Sequence, residues 1–161
     1  MSDNSTPVAV AQPDEVTPNL TLAVVAGLAA AIAGAVLWAV ITVSTKYQIG
    51  FMAIGVGFLV GWTVRAAGKG SAMSYSVIGG ALALIGCLLG NLLSACGFLA
   101  TEQSTPLMTI VGRALANPGL AADLLQATFS PMDLFFYAIA VYEGFKLARR
   151  PSVRPAAAVA T

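Results

Sequence analysis

The chain has 161 residues, of which 58% are hydrophobic and only 9% charged, with a formal net charge of +1. Soluble domains average about 25% charged residues, so this composition excludes an ordinary soluble domain, and nothing in it forms a nucleic-acid patch. The sequence holds no histidine, which removes the commonest general base and metal ligand.

The first 19 residues are polar, proline-bearing and slightly acidic (Asp3, Asp14, Glu15). They are expected to be a disordered tail. They lack the basic start of a signal peptide, and the apolar run that follows is too long for one, so no cleavage is expected. The first span is Leu20 to Val43, about 36 Å of helix, enough to cross a bilayer with tilt. A short turn around Ser44 to Gln48 returns the chain. The second span, Ile49 to Ala67, reaches about 28 Å. Gly68-Lys69-Gly70-Ser71 is a turn. It resembles the tail of a phosphate-binding loop only superficially, because the upstream glycine and strand are missing. The third span runs from Tyr75 to Leu99. Between Lys46 and Glu102 the only charges are Arg65 and Lys69, four residues apart. Hydrocarbon accepts helices but not charges, so that pair marks an exit from the bilayer.

A less apolar segment follows. Thr105-Pro106 suits an N-cap and first turn. Leu107, Ile110, Val111, Ala114 and Leu115 recur with helical spacing while Arg113 falls elsewhere on the wheel, which predicts a short amphipathic helix. Asn117-Pro118-Gly119 ends it, and a second short helix is expected from Leu120 to Ala127. Ser130-Pro131-Met132-Asp133 then opens the fourth span, residues 131–150, with Ser130 as cap, Pro131 at the first helical position and Asp133 closing a capping box. Residues 151–161 form a second tail. The fold class expected is all-α: a bundle of four transmembrane helices over residues 20–150, with an extramembrane amphipathic segment between the third and fourth. With the N-terminus cytoplasmic, Arg65, Lys69, Lys146, Arg149, Arg150 and Arg154 lie inside and only Lys46 and Arg113 outside. The positive-inside rule therefore places both termini in the cytoplasm. Trp38 and Tyr47 would mark the outer interface, Trp62 and Tyr75 the inner one.

Small residues form stripes. Gly50, Ala53, Gly57 and Gly61 share one face of the second span, and Gly79, Ala83, Gly86, Gly90, Ser94 and Gly97 one face of the third. Such stripes let backbones approach closely in lipid. They are expected to pack these two spans on each other or on the first; the functional alternative is a homo-oligomer or partner-subunit interface.

Two polar side chains fall within apolar runs. Asn91 lies on one face with Cys87 and Ser94 and reads as interhelical glue, worth about 1 kcal/mol; the alternative is a polar cavity. Glu143 lies about 10 Å before Arg150. An intramembrane acid is a candidate for moving protons or cations, but Lys146 at i+3 offers a salt bridge, and that structural role is preferred. Cys87 and Cys96 are about 13 Å apart along one helix, too far to bridge within it, and read as small buried thiols. No catalytic, cofactor-binding or metal motif is found.

Trp38 with Thr45-Lys46-Tyr47-Gln48-Ile49-Gly50-Phe51-Met52-Ala53-Ile54-Gly55-Val56-Gly57, and later Asp133-Leu134-Phe135-Phe136-Tyr137-Ala138-Ile139-Ala140, resemble a family of small uncharacterised bacterial four-helix integral membrane proteins. The likeness covers roughly Gly27 to Leu147. Some members carry an additional zinc-ribbon-like segment, and this chain, without paired cysteine motifs, does not. The resemblance implies four spans in a bacterial cytoplasmic membrane and brings no activity. The expected role is a non-catalytic structural or accessory subunit, not an enzyme, whose partners are the bilayer and a second copy or another membrane protein. The alternative is a small oligomeric transporter or channel using Glu143 and Asn91 along a polar path. A water-filled cavity reaching both residues would favour transport; a dry bundle with an apolar outer groove would favour the subunit.

Overall fold

A computed structural model describes residues 17–150; the expected tails, apart from Thr17 to Asn19, lie outside the described residues. Within them the chain is all-α, with six helices: α1 Leu20–Thr45, α2 Phe51–Gly68, α3 Met73–Glu102, α4 Leu107–Ala116, α5 Pro118–Thr128 and α6 Pro131–Leu147. α1, α2 and α3 are each long and apolar enough to cross a membrane. α5 and α6 pass the same test only as a pair, and that pair is bent by 103°. Three to four helices therefore meet the requirement of a crossing.

α1, α2, α3 and α6 run alternately up and down. Asn19 N–H donates to the Gly68 carbonyl at 2.9 Å, fastening the start of α1 to the end of α2. Arg150 N–H donates to the Gly70 carbonyl at 2.9 Å, fastening the chain just after α6 to the turn before α3. These two bonds define one end of the bundle, the Gly70 end; the other is marked by Gln48. α1 has 26 residues and α3 has 30, against 18 for α2 and 17 for α6. The longer pair overhangs at the Gln48 end, and there α4 and α5 cover α3: Ile110 and Ala114 pack with Cys96 and Ala100.

Helix ends follow local chemistry. Asn19 caps α1 by accepting from Leu22 N–H. Lys46 and Lys69 stop α1 and α2 in the left-handed conformation, with φ of 57° and 53°. Ser130 and Asp133 form the expected capping box, with Pro131 in the first turn of α6. α4 departs from expectation. Thr105 does not cap it; its hydroxyl donates to the Gln103 carbonyl at 3.2 Å, and Pro106 stands at the cap position without a side-chain bond. Only part of the expected apolar face of α4 is covered, since Leu115 is 72% exposed. α6, over the expected fourth span, ends at Leu147, short of Arg150.

The α3 stripe meets α1 and α2, as expected, over part of its length, but both stripes also meet α6, which was not expected. The α2 stripe faces α6. A methyl placed on Gly57 would lie 2.7 Å from Ala140 Cα, and one on Gly61 3.0 Å from Gly144 Cα. Gly50 sits against the Phe136 ring, and Ala53 is fully buried. On α3 the stripe changes partner along its length: Gly79 meets Gly144 and Ala148 of α6, Gly86 meets Val56 of α2 and Ala31 of α1, and Gly90 meets the Trp38 ring. α6 completes the bundle because three glycines, Gly57, Gly79 and Gly144, remove the side chains that would hold it away.

Candidate functional site

The buried polar groups of the bundle converge where α6 begins. Asp133 and Tyr137 stand one turn apart on α6, and Cys87 and Asn91 one turn apart on α3, an i, i+4 spacing that puts each pair on one helix face. Because α3 and α6 are antiparallel, the pairs oppose each other. The Tyr137 hydroxyl donates to the Cys87 carbonyl at 3.4 Å. Gln48 closes the group from the turn between α1 and α2: its Nε2 donates to Asn91 Oδ1 and to Asp133 Oδ2, each at 3.3 Å. Asp133 Oδ2 also accepts from Ser130 N–H at 2.8 Å, so one carboxylate oxygen caps α6 and holds the turn.

Aromatic rings wall the cluster. Trp38 meets Tyr137 edge-on with ring centroids 6.4 Å apart, and Phe129 meets it similarly at 6.1 Å. Asn91 is 1% exposed and Asp133 5%. Asn91 Nδ2, Trp38 Nε1 and Thr42 Oγ1 are buried with no hydrogen-bond partner among the described residues. Ser94, on the same face as Asn91, satisfies itself by donating to the Gly90 carbonyl at 2.7 Å. The cluster joins three segments through two long bonds from one amide. Its chemistry is that of a polar tie between helices.

Glu143 is not part of it. It lies on α6 about 15 Å beyond Asp133, toward the Gly70 end, and is half-buried. The expected salt bridge is absent: no ion pair within 4.0 Å joins Glu143 to Lys146. Lys146 Nζ instead lies over the Tyr142 ring, 5.4 Å from its centroid. The i+3 spacing permits pairing, but Tyr142, at i−4 from Lys146, offers the ammonium an aromatic face instead.

An apolar groove of about 670 Å³ lies between α1, α3 and α4. Val36, Val40 and Val43 form one wall, Gly97 and Ala100 the floor, and Met108 the other wall. Neither Asn91 nor Glu143 borders it. Among the described residues no three histidine, cysteine or carboxylate side chains gather as metal ligands would.

No protein-family model, curated protein or solved structure matches this chain.

Of the residues singled out from sequence, the structure brings Asn91 to the polar cluster and leaves Glu143 and Lys146 outside. Sequence reasoning missed Gln48 and Tyr137, and read Asp133 as a cap alone. The available signal was the pair of i, i+4 spacings, Cys87/Asn91 and Asp133/Tyr137, on helices that a single long connection makes antiparallel.

Proposed function

We propose that the chain is a four-span protein of the bacterial cytoplasmic membrane, with both termini cytoplasmic, acting as a non-catalytic structural or accessory subunit. It packs with a second copy or with another membrane protein. The observation that carries this reading is the contrast between a closed interior and an open apolar flank. α6 meets α2 and α3 through backbone at Gly57, Gly79 and Gly144, which leaves no passage along that seam, while the groove between α1, α3 and α4 is apolar and borders neither polar candidate. A separation of about 15 Å between the levels of Asn91 and Glu143 argues against one polar path through both.

The fourth crossing is the segment after the 103° bend. α6 has 17 residues, about 26 Å, and Ala148 to Arg150 extend the segment toward the hydrocarbon thickness. Its antiparallel run beside α3 from Asn91 down to Gly79 supports a full crossing. Reporter fusions test this. Fusions at Asp3, Gly70 and Arg154 should report cytoplasm, and fusions at Gln48 and Asn117 periplasm. A periplasmic C-terminus would reduce the protein to three spans and overturn the topology. Co-purification in mild detergent with mass spectrometry tests the subunit role; a protein that runs alone and as a monomer would count against it.

A further inference from the structure

The charges of the described residues divide unevenly between the two ends. The Gln48 end holds Lys46 and Arg113 with Glu102, Asp123 and Asp133, whereas the Gly70 end holds Arg65, Lys69, Lys146, Arg149 and Arg150 with Glu143 alone. Four of those five basic residues are drawn together by the fold. Arg65 lies one turn beyond Gly61 on the same face of α2, and Gly61 abuts Gly144 and Leu147 of α6. Lys69 N–H donates to the Arg65 carbonyl at 3.1 Å, and Arg150 N–H to the Gly70 carbonyl at 2.9 Å, which sets the Arg149-Arg150 pair beside the Lys69 turn. Lys69 and Arg149 are exposed, Arg65 and Arg150 half-buried, and none forms an ion pair with Glu143 or with another described carboxylate.

We propose that Arg65, Lys69, Arg149 and Arg150 form a binding site for the phosphate of an anionic phospholipid. Basic residues in the last turn of a helix also offset its dipole, which accounts for Arg65, but Lys69, Arg149 and Arg150 lie beyond the helices. Three of the four are arginines, whose planar fork matches phosphate in two parallel bonds. Trp62, 59% exposed and one turn before Arg65, supplies the amphipathic ring found where acyl chains meet headgroups. The site rests on the proposed membrane reading, because only helix ends that leave a bilayer present these residues at phosphate level. A lipid headgroup is favoured over free phosphate for that reason: exposed apolar side chains one to two turns before Arg65, Leu59 and Trp62, offer the acyl tails a surface beside the charges.

The experiment uses the full chain in a non-ionic detergent, titrated with phosphatidylglycerol, phosphatidylcholine or inorganic phosphate, with bound lipid counted by native mass spectrometry. Phosphatidylglycerol should be retained and phosphatidylcholine should not. Arg149→Gln with Arg150→Gln should weaken retention at least about tenfold. Lys46→Gln with Arg113→Gln, which removes the same charge from the other end, should leave it unchanged. Equal losses in the two double variants would reduce the effect to diffuse attraction and overturn the site. Displacement of the lipid by inorganic phosphate at equal concentration would overturn the lipid assignment. If the arginine variant does not fold, Lys69→Gln carries the same comparison on an exposed turn residue. Retention in detergent is independent of orientation, so a reversed topology with lipid still bound would sink the proposed orientation and leave this site standing.

Discussion

Where α6 lies along α2 and α3, backbone meets backbone: Gly57 faces Ala140, and Gly79 faces Gly144. Where α3 runs on past Asn91, the contacts are made by side chains. Trp38 leans on Gly90, Gln48 reaches back to Asn91 and Asp133, and α4 lays Ile110 and Ala114 against Cys96 and Ala100. The first region has no freedom to adjust, because a carbonyl or Cα cannot rotate away. The second can repack, and it contains the groove and the unpartnered Trp38 Nε1, Thr42 Oγ1 and Asn91 Nδ2, whereas Ser76 Oγ is unpartnered at the other end. In lipid, where burial gives little drive between helices, close backbone packing supplies association; the side-chain region is where such a protein can accommodate another molecule.

The largest expected effect breaks the first region. Gly57→Leu places a side chain against the Ala140 backbone and should destabilise the detergent-solubilised protein at or above the upper end of the ~1–3 kcal/mol typical of overpacking. Phe58→Leu, one residue on but 56% exposed, should stay within about ±0.5 kcal/mol. Melting temperatures of the two variants decide it. If Gly57→Leu melts like the parent, the α2–α6 seam is open and the contrast fails. Gly90→Leu should fall between them, because its obstacle is the Trp38 ring, 2.9 Å from where a methyl on Gly90 would sit, and a ring can tilt.

The second region should respond less. Asp133→Ala removes the capping-box oxygen and one of the two acceptors of Gln48, at about 1 kcal/mol. Asp133→Asn keeps an acceptor oxygen and should recover most of it. Hydrogen exchange at the first turn of α6 should rise in the alanine variant and much less in the asparagine one. Equal exchange in both would mean that the charge, not the hydrogen bonding, holds the turn.

A glycine outside both regions sharpens the comparison. Gly55 is on α2, two residues before Gly57, and a methyl there meets nothing within 4 Å. Gly55→Ala should raise stability by roughly 0.5–1 kcal/mol through backbone entropy alone. A loss instead would show that this exposed face of α2 is covered by another chain, which melting with and without dilution would reveal.

The same contrast separates what could be read from sequence from what could not. The long apolar helices α1, α2 and α3 were legible because hydropathy and clustered charge act along the chain, and the Ser130/Asp133 capping box because it is closed within four residues. That α1 and α2 receive part of the α3 stripe was expected; that α6 receives the rest, and the α2 stripe, was not. Gly57 and Gly79 advertise a close approach without naming what approaches, and the answer, α6, lies across the α4–α5 excursion. Asn91 was found as an amide in an apolar run, whereas Gln48 looked like an ordinary turn residue until the fold brought it to Asn91 and Asp133. Glu143 drew attention for the opposite reason: a charge stands out in hydropathy even where it forms no ion pair with its neighbour Lys146.

That residue gives the smallest expected effect. Glu143 is half-buried near the Gly70 end, and Lys146 is occupied with the Tyr142 ring, so no ion pair is lost when the carboxylate becomes an amide. Glu143→Gln should leave the melting temperature unchanged, its effect staying inside the range of about ±0.5 kcal/mol seen for ordinary surface substitutions. Lys146→Gln should do slightly more, since an exposed cation–π contact contributes about 0.5–1 kcal/mol. Proteoliposomes supply the functional side of the same test. With an interior closed at Gly57 and Gly79, the parent should conduct neither protons nor alkali cations above the lipid background. A flux that is present in the parent and vanishes in Glu143→Gln would require an ionisable oxygen on a path, and would replace the subunit reading with a transporter.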